Sequence, residues 1–265
     1  MPKLVVLKGP VNFKGPGFVT FGDILCKEKC HPDERKFIIE EQIGEHSFRQ
    51  TITIPRRKSF KNVYQLKLVL RHTTPHVWRR ILVPESYTFY DLHVSIQDVM
   101  GWFDYHLHHF EIFQNSREHD RVHIECPWFG LHEMDEDWLI TSEISIKEYL
   151  KKPSDRALYR YDYGDGWEMD IILEKILLRK KNKAYPVCLE GELAGPPEDC
   201  GGIPGYYECV KAVNTIKRME RPQTVRDDEM MSLLTWLGDW DPDEFNPSKI
   251  VFENPWDRFK TAIED

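Results

Sequence analysis

From Tyr64 onward, apolar and polar residues alternate. Tyr64, Leu66, Leu68 and Leu70 fall opposite Gln65, Lys67, Val69 and Arg71, the period of two that a half-buried strand requires. His72-Thr73-Thr74-Pro75 is turn material. Val77, Arg79, Ile81 and Val83 then alternate with Trp78, Arg80 and Leu82 up to Pro84, so the two runs predict an antiparallel hairpin. After it the period lengthens. Thr88 and Asp91 have the spacing of a capping box, and Leu92, Ile96, Val99 and Met100 form one helical stripe that Gly101 ends. Tyr105–Phe113 returns to alternation, with His106, His108, Phe110 and Ile112 on one face, and predicts a third strand.

Residues 114–140 are polar and irregular, the pattern of a long loop. Ile144–Leu150 predicts a short helix or strand, and Leu158–Tyr163 a further strand. Asp165-Gly166 is a two-residue hairpin signal, after which Trp167–Leu178 returns as a longer strand. Pro186–Gly205 carries too much Pro and Gly to be regular throughout. Tyr206–Arg218 and Asp227–Leu237 read as helices, the second closed by Gly238. Before all this, residues 1–62 are punctuated by Gly and Pro, with β-prone pieces at Phe18–Phe21, Phe37–Ile39 and Thr51–Ile54. Strands first and helices last predict an α+β fold. We expect an antiparallel or mixed sheet with helices packed on one side, in a core at 63–246. A small β-rich N-terminal extension (1–62) packs on it, and a C-terminal tail (247–265) follows.

Composition excludes several classes. The chain has 265 residues, 41% hydrophobic and 12% aromatic with 8 Trp, which is incompatible with whole-chain disorder. Its apolar runs are too short for a membrane span, and Met1–Val11 does not read as a secretory signal. The expected protein is soluble and cytoplasmic, with its six cysteines reduced. Cys26-x3-Cys30-His31 has a tolerable spacing for zinc, and Cys188, Cys200 and Cys209 are further donors. No second tight pair accompanies them, so ordinary packing is the preferred reading.

The net charge of −8 is unevenly placed. His46–Pro84 holds nine basic residues and no acidic one, which leaves −17 on the rest. Arg56, Arg57, Lys58 and Lys61 are candidate phosphate contacts for a nucleic acid. The alternative, a hairpin whose solvent face carries cations against edge pairing, accounts for Lys67 and Arg71. Arg79 and Arg80 point to opposite faces, so one turns inward, with Asp162 or Asp165 as its expected partner.

Several strings are recognisable together. They are Pro75-x-Val77-Trp78-Arg79-Arg80-Ile81-x-Val83-Pro84, Leu92-His93-x-x-Ile96-Gln97-x-x-Met100-Gly101-Trp102, Tyr161-Asp162-Tyr163-Gly164-Asp165-Gly166-Trp167, Pro196-Pro197-Glu198-Asp199-Cys200-Gly201-Gly202 and Asp241-Pro242-x-x-Phe245. Over residues 63–246 the chain resembles the plasmid pRi ORF-three-like family. The resemblance implies a small α+β protein of a group found on plasmids, transposons and chromosomes, and it implies no assigned activity. Two positions depart from the commoner pattern of that family: Met169 stands where many relatives have His, and Gly195 where they often have Cys. Both departures weaken a metal site built on those positions.

The densest chemistry lies at the helix–strand junction. His106 and His108 as an H-x-H pair, with His93 on the helix, predict a three-histidine site for zinc or another divalent metal with a place left for water. Asp165, Glu198 and Asp199 are the candidate carboxylates, as general base or imidazole partners. Hydrogen-bonded packing is the competing reading for the histidines. Asp165-Gly166 also suits a turn, Asp199 an amide cap, and Gly201-Gly202 an anion loop. Trp78, Trp102 and Trp167 read as a shared aromatic core beneath one site. No P-loop, G-x-S-x-G, H-E-x-x-H or C-x-x-C is present. The leading expectation is therefore a non-enzymatic binding or adaptor protein of mobile-element origin with a protein partner. A metal-dependent hydrolase-like enzyme and a nucleic-acid binder are the alternatives.

Overall fold

The computed structural model describes residues 59–113, 121–126, 138–218 and 228–264, and the backbone of five strands before them. Those five are β1 (Val6–Leu7), β2 (Cys26–Lys27), β3 (Lys29–His31), β4 (Glu34–Ile43) and β5 (His46–Pro55). β1 pairs with β2, and β3-β4-β5 form an antiparallel sheet. The expected pieces Phe37–Ile39 and Thr51–Ile54 lie within β4 and β5. Phe18–Phe21 and the cations Arg56, Arg57 and Lys58 lie outside the described residues.

The core runs β6 (Asn62–Leu70), β7 (Trp78–Pro84), α1 (Phe89–Met100), β8 (His108–Phe113), β9 (Arg121–Glu125), β10 (Leu139–Ile140), β11 (Arg156–Tyr161), β12 (Trp167–Leu178), β13 (Val187–Glu192), α2 (Gly202–Arg218), α3 (Asp228–Leu237) and α4 (Pro255–Glu264). Its eight strands form one mixed sheet in the order β10-β9-β8-β11-β12-β6-β7-β13, antiparallel except for the short β10–β9 pair. The fold is α+β. Among the described residues no helix is long and apolar enough to cross a membrane.

Period-two alternation sorts the sheet into two faces. Leu66, Leu68, Ile81, Phe110, Tyr159 and Ile171 are buried on the inner face, together with Leu92 and Ile96 of α1. α1 starts as its sequence requires. The Thr88 hydroxyl accepts from the Asp91 N–H, the Asp91 carboxylate accepts from the Thr88 N–H, and Gly101 ends the helix at φ 78°. α4 covers α1 from the side away from the sheet, where Phe259 meets Tyr90 edge to face at 5.2 Å.

The outer face carries a ladder of ion pairs. Glu111 is held by Arg121 and Arg160, Arg160 reaches Glu168 at 2.7 Å, and Arg71 bonds Asp170 at 2.7 Å. Arg80 binds Glu174 at 2.6 Å and also Glu190. The basic hairpin is thus neutralised by carboxylates of β12 and β13, while Lys61 is exposed.

Five expectations need correction. The third strand begins at His108, not Tyr105, because Tyr105 and His106 turn away before pairing with β11 starts. The 114–140 loop contains β9 and β10, whose short runs were masked by polar neighbours. Tyr161 pairs with Trp167, so the β11–β12 hairpin has a five-residue loop closed by Gly166 N–H to the Asp162 carbonyl (2.6 Å), not a two-residue turn. The C-terminal segment carries a 3-10 turn at Pro247–Lys249 and α4.

Arg79 is the fifth. It is the inward-facing arginine, 1% exposed, but it meets neither Asp162 nor Asp165. Its Nε donates to the Val99 carbonyl (2.8 Å) and its Nη1 to those of Trp78 and Glu192 (2.8 and 2.9 Å), while its guanidinium lies 3.7 Å over Phe245. Val99 lies in the last turn of α1, so the cation sits at the negative end of that helix. Burial still lowers its pKa to about 10.

Candidate functional site

The helical period puts His93 and Gln97 one turn apart on α1, and both reach the Tyr159 hydroxyl of β11. Gln97 Nε2 donates to it at 3.0 Å, and His93 Nδ1 lies 2.8 Å from it. On the other side His93 Nε2 is 2.7 Å from Asp104 Oδ1, and Gln97 Oε1 accepts from the Asp104 N–H at 3.0 Å. The chain closes in one sense: the amide donates to the phenol, the phenol to Nδ1, and Nε2–H to the carboxylate. His108 stacks on His93, with ring centroids 3.5 Å apart and planes 9° apart. Burial pushes both imidazoles well below the usual histidine range and lifts Asp104 to about 6.

That stacking bears on the expected metal site. A metal ion lies close to the plane of each imidazole it binds, at about 2.0–2.1 Å from nitrogen. Two nearly parallel rings 3.5 Å apart share no such point. His93 and Asp104 form a buried hydrogen-bonded pair, and His108 stacks on it with its Nε2 buried and without a hydrogen-bond partner among the described residues. His106 is not part of it.

His106 joins the carboxylates instead. Its Nε2 is 2.7 Å from Asp199 Oδ1, 3.6 Å from Asp162 Oδ2 and 3.9 Å from Glu198 Oε1. Glu198 is nearly buried and accepts from the Tyr161 hydroxyl (2.9 Å) and the Phe103 N–H (2.6 Å), and burial raises its pKa. The loop that delivers Glu198 and Asp199 is tied down by two indoles: Trp102 donates to the Pro196 carbonyl and Trp240 to that of Gly195, each at 3.0 Å. A Cβ at Gly195 would run into the Met100 carbonyl oxygen, so a larger side chain has no room there.

Asp165 stands apart from these groups. Its Oδ2 accepts from the Gly201 N–H at 3.1 Å, and a Cβ on Gly202 would strike its backbone oxygen. Gly202 serves this close approach, the physical reason for a glycine there. Of the three tryptophans, Trp102 and Trp167 pack together at 6.0 Å, but Trp78 lies on the outer face against Lys67 and Arg80.

Beside the His106 cluster a groove of about 540 Å³ opens between the end of α1, the 194–199 loop, α3 and the segment after it. Phe103, Tyr105, Trp236, Trp240 and Phe245 line it, with Glu198 and Asp199. Phe103, Tyr105 and Trp236 are 62%, 60% and 52% exposed, so apolar rings stand in solvent at its rim.

The sequence reading passed over a second group, on the outer face: His109 and Glu111 of β8 with His123 and Glu125 of β9. The H-x-E spacing at 109/111 and 123/125 was the available signal. The polar, irregular pattern of residues 114–140 hides it. Burial lifts Glu125 to about 7, whereas His109, Arg121 and Arg160 hold Glu111 down at about 2.

The fold and these loops define a class of α+β protein in which one sheet end gathers imidazoles, carboxylates and aromatic rings. The chain belongs to the plasmid pRiA4b ORF-3-like protein family, whose profile matches residues 62–249. It is 32% identical over 157 residues to the uncharacterized protein y4hQ of Sinorhizobium fredii (strain NBRC 101917 / NGR234), covering 57% of this chain and 73% of that one. It is also similar to a crystal structure of a protein of unknown function, MM3350, from Methanosarcina mazei Go1. That match has a TM-score of 0.60 and 39% identity, and covers 73% of this chain and 100% of the other.

Proposed function

We propose that the protein is a non-enzymatic binding protein whose groove takes an arginine or lysine side chain from an exposed segment of a partner protein. The observation that carries this reading is the pairing of exposed aromatic rings with carboxylates around one groove. Aromatic faces are negative and attract cations, by about 0.5–2 kcal/mol per contact. Glu198 and Asp199 add formal charge, and among the described residues neither has an arginine or lysine within ion-pair distance. The chain's net charge of −8 favours approach of a basic partner over a nucleic acid. The described hairpin arginines are ion-paired or buried, which weakens the nucleic-acid alternative. The family's name refers to a plasmid reading frame, which fits a mobile-element adaptor acting in the cytoplasm on a partner macromolecule.

Titrating the full chain with short arginine-containing peptides, followed by tryptophan fluorescence, tests this. Arginine peptides should bind, and glutamate peptides of the same length should not. Trp236→Ala should weaken binding by about threefold to thirtyfold, the equivalent of one cation–π contact. Equal binding of both peptide types, or no effect of Trp236→Ala, would exclude the groove.

A further inference from the structure

The outer face of the sheet holds a set of groups that the groove does not use. β8 and β9 are antiparallel neighbours, with His109 opposite Glu125 and Glu111 opposite His123. Residues directly opposite, or two apart on one strand, share a face. The four side chains therefore stand as a square. A ligand atom from each of His109, His123 and Glu125 lies within 4.8 Å of the other two.

Three features separate this set from the two other histidine clusters. The first is ring geometry. The His109 and His123 planes are 37° apart with centroids at 5.9 Å, so their in-plane lone pairs can converge on one point, as those of the stacked His93 and His108 cannot. The second is charge. Glu125 is 2% exposed, yet among the described residues no arginine or lysine reaches it, and its neighbours are Tyr163 Oη at 3.5 Å and His109 Nδ1 at 3.9 Å. Its counterpart Glu111 has two arginines. A carboxylate withdrawn from water needs a cation or a proton, and here the place beside it is bounded by two imidazoles. The His106 cluster lacks this feature, because its single imidazole is already shared among three carboxylates.

The third feature is access with support. The set lines an open cavity of about 470 Å³ together with Trp138, Arg160 and Tyr163. Glu111 Oε1 is 3.3 Å from His109 Nε2, the carboxylate–imidazole contact that orients a ligating histidine and leaves Nδ1 for the ion. His123 is stacked on Trp138, with planes 26° apart. Tyr163 Oη, 2.7 Å from His109 Nδ1, stands where a fourth ligand or a bound water would be.

We propose that His109, His123 and Glu125 bind one divalent first-row metal ion, with zinc as the natural occupant. Two imidazoles and one carboxylate with an open position match zinc's borderline donor preference. Closing the set to bonds of about 2.0–2.2 Å requires side-chain shifts of about an ångström. The ion would face the cavity, so an exogenous small anion or water can complete its coordination. The proposal is independent of the arginine-binding groove.

The test uses the untagged full chain, stripped with chelator and titrated with zinc alone against a chromophoric indicator. Metal content per chain is read by elemental analysis, and cobalt(II) is added separately for its visible spectrum. Wild type should take up one more zinc than His123→Ala and than Glu125→Gln, and cobalt should give an absorption band that both variants lose. His106→Ala and His93→Gln should leave both readouts unchanged. His123 is half-buried at the rim, so His123→Ala keeps the test decisive if Glu125→Gln fails to fold. Wild type that takes up no zinc overturns the proposal. So does zinc binding that survives in His123→Ala, or that disappears in His106→Ala.

Discussion

Both ring nitrogens of His93 are engaged, and that decides its response to acid. Folding holds the ring neutral between Tyr159 and Asp104, with its pKa pushed well below the usual value by burial first and by Arg258 second. In the unfolded chain the ring takes up a proton below about pH 6.5. The unfolded state therefore binds more protons than the folded one in that range, and stability falls with falling pH. Between pH 7.5 and 5.5 this one ring should withdraw about 1.4 kcal/mol. Urea unfolding of wild type and His93→Gln at both pH values checks it: the wild type should lose about that much more than the variant, and parallel losses would contradict the assignment. The alternation around Phe110 was legible and so was the helical position of His93. The stacking of His93 on His108 was not, because it depends on how far α1 sits from β8, and no local pattern encodes that distance.

At the scale of elements, α4 does more than end the chain. Its Arg258 bonds Asp98 Oδ1 of α1 at 2.8 Å and lies 4.0 Å from Asp104. Burial lifts both carboxyls to about 6. Removing the guanidinium leaves two nearly buried carboxylates without a cation, and breaking such a pair from one side is costly. Arg258→Ala should lower stability by about 2–4 kcal/mol. Asp98→Asn in the same chain should restore part of it, because the two positions share one interaction. Chemical denaturation of the three variants measures the coupling, and strict additivity would show that α4 is not anchored there. No local pattern announces this: the charge pair that ties α4 to α1 joins residues 160 positions apart, and the contact of Phe259 with Tyr90 spans a similar separation. β9 escaped notice for a related reason. It is five residues long, and its polar positions His123 and Glu125 carry the chemistry of the outer face.

For the whole molecule, the central sheet is assembled without β1–β5. β6, the first strand of the sheet, lies in its interior between β12 and β7, both of which come later in the chain. The family profile begins at residue 62. A fragment of residues 59–265 should therefore fold cooperatively, with a midpoint within a few degrees of the full chain. Calorimetry compares the two, and a fragment without a thermal transition would mean that the first strands complete the core. The α+β class was readable from the order of periods along the chain. The strand order was not, since β13 reaches β7 across a segment of mostly irregular pattern. Nor was the pairing of hairpin arginines with Glu174 and Glu190, which depends on that order.

The sheet's two ends differ from its middle in a way that bears on how the protein behaves when crowded. One end is β10, two residues long and paired in parallel with β9. The other is β13, whose register slips between Cys188 and Glu190 and which carries Glu190 and Glu192. A strand from another molecule needs a long, flat, uncharged edge to add itself by backbone hydrogen bonds. A two-residue edge offers too few, and a kinked acidic one repels its own copy. Among the described residues the open sheet thus has no templating edge, and edge-to-edge aggregation is blocked at both ends without closing the sheet into a barrel.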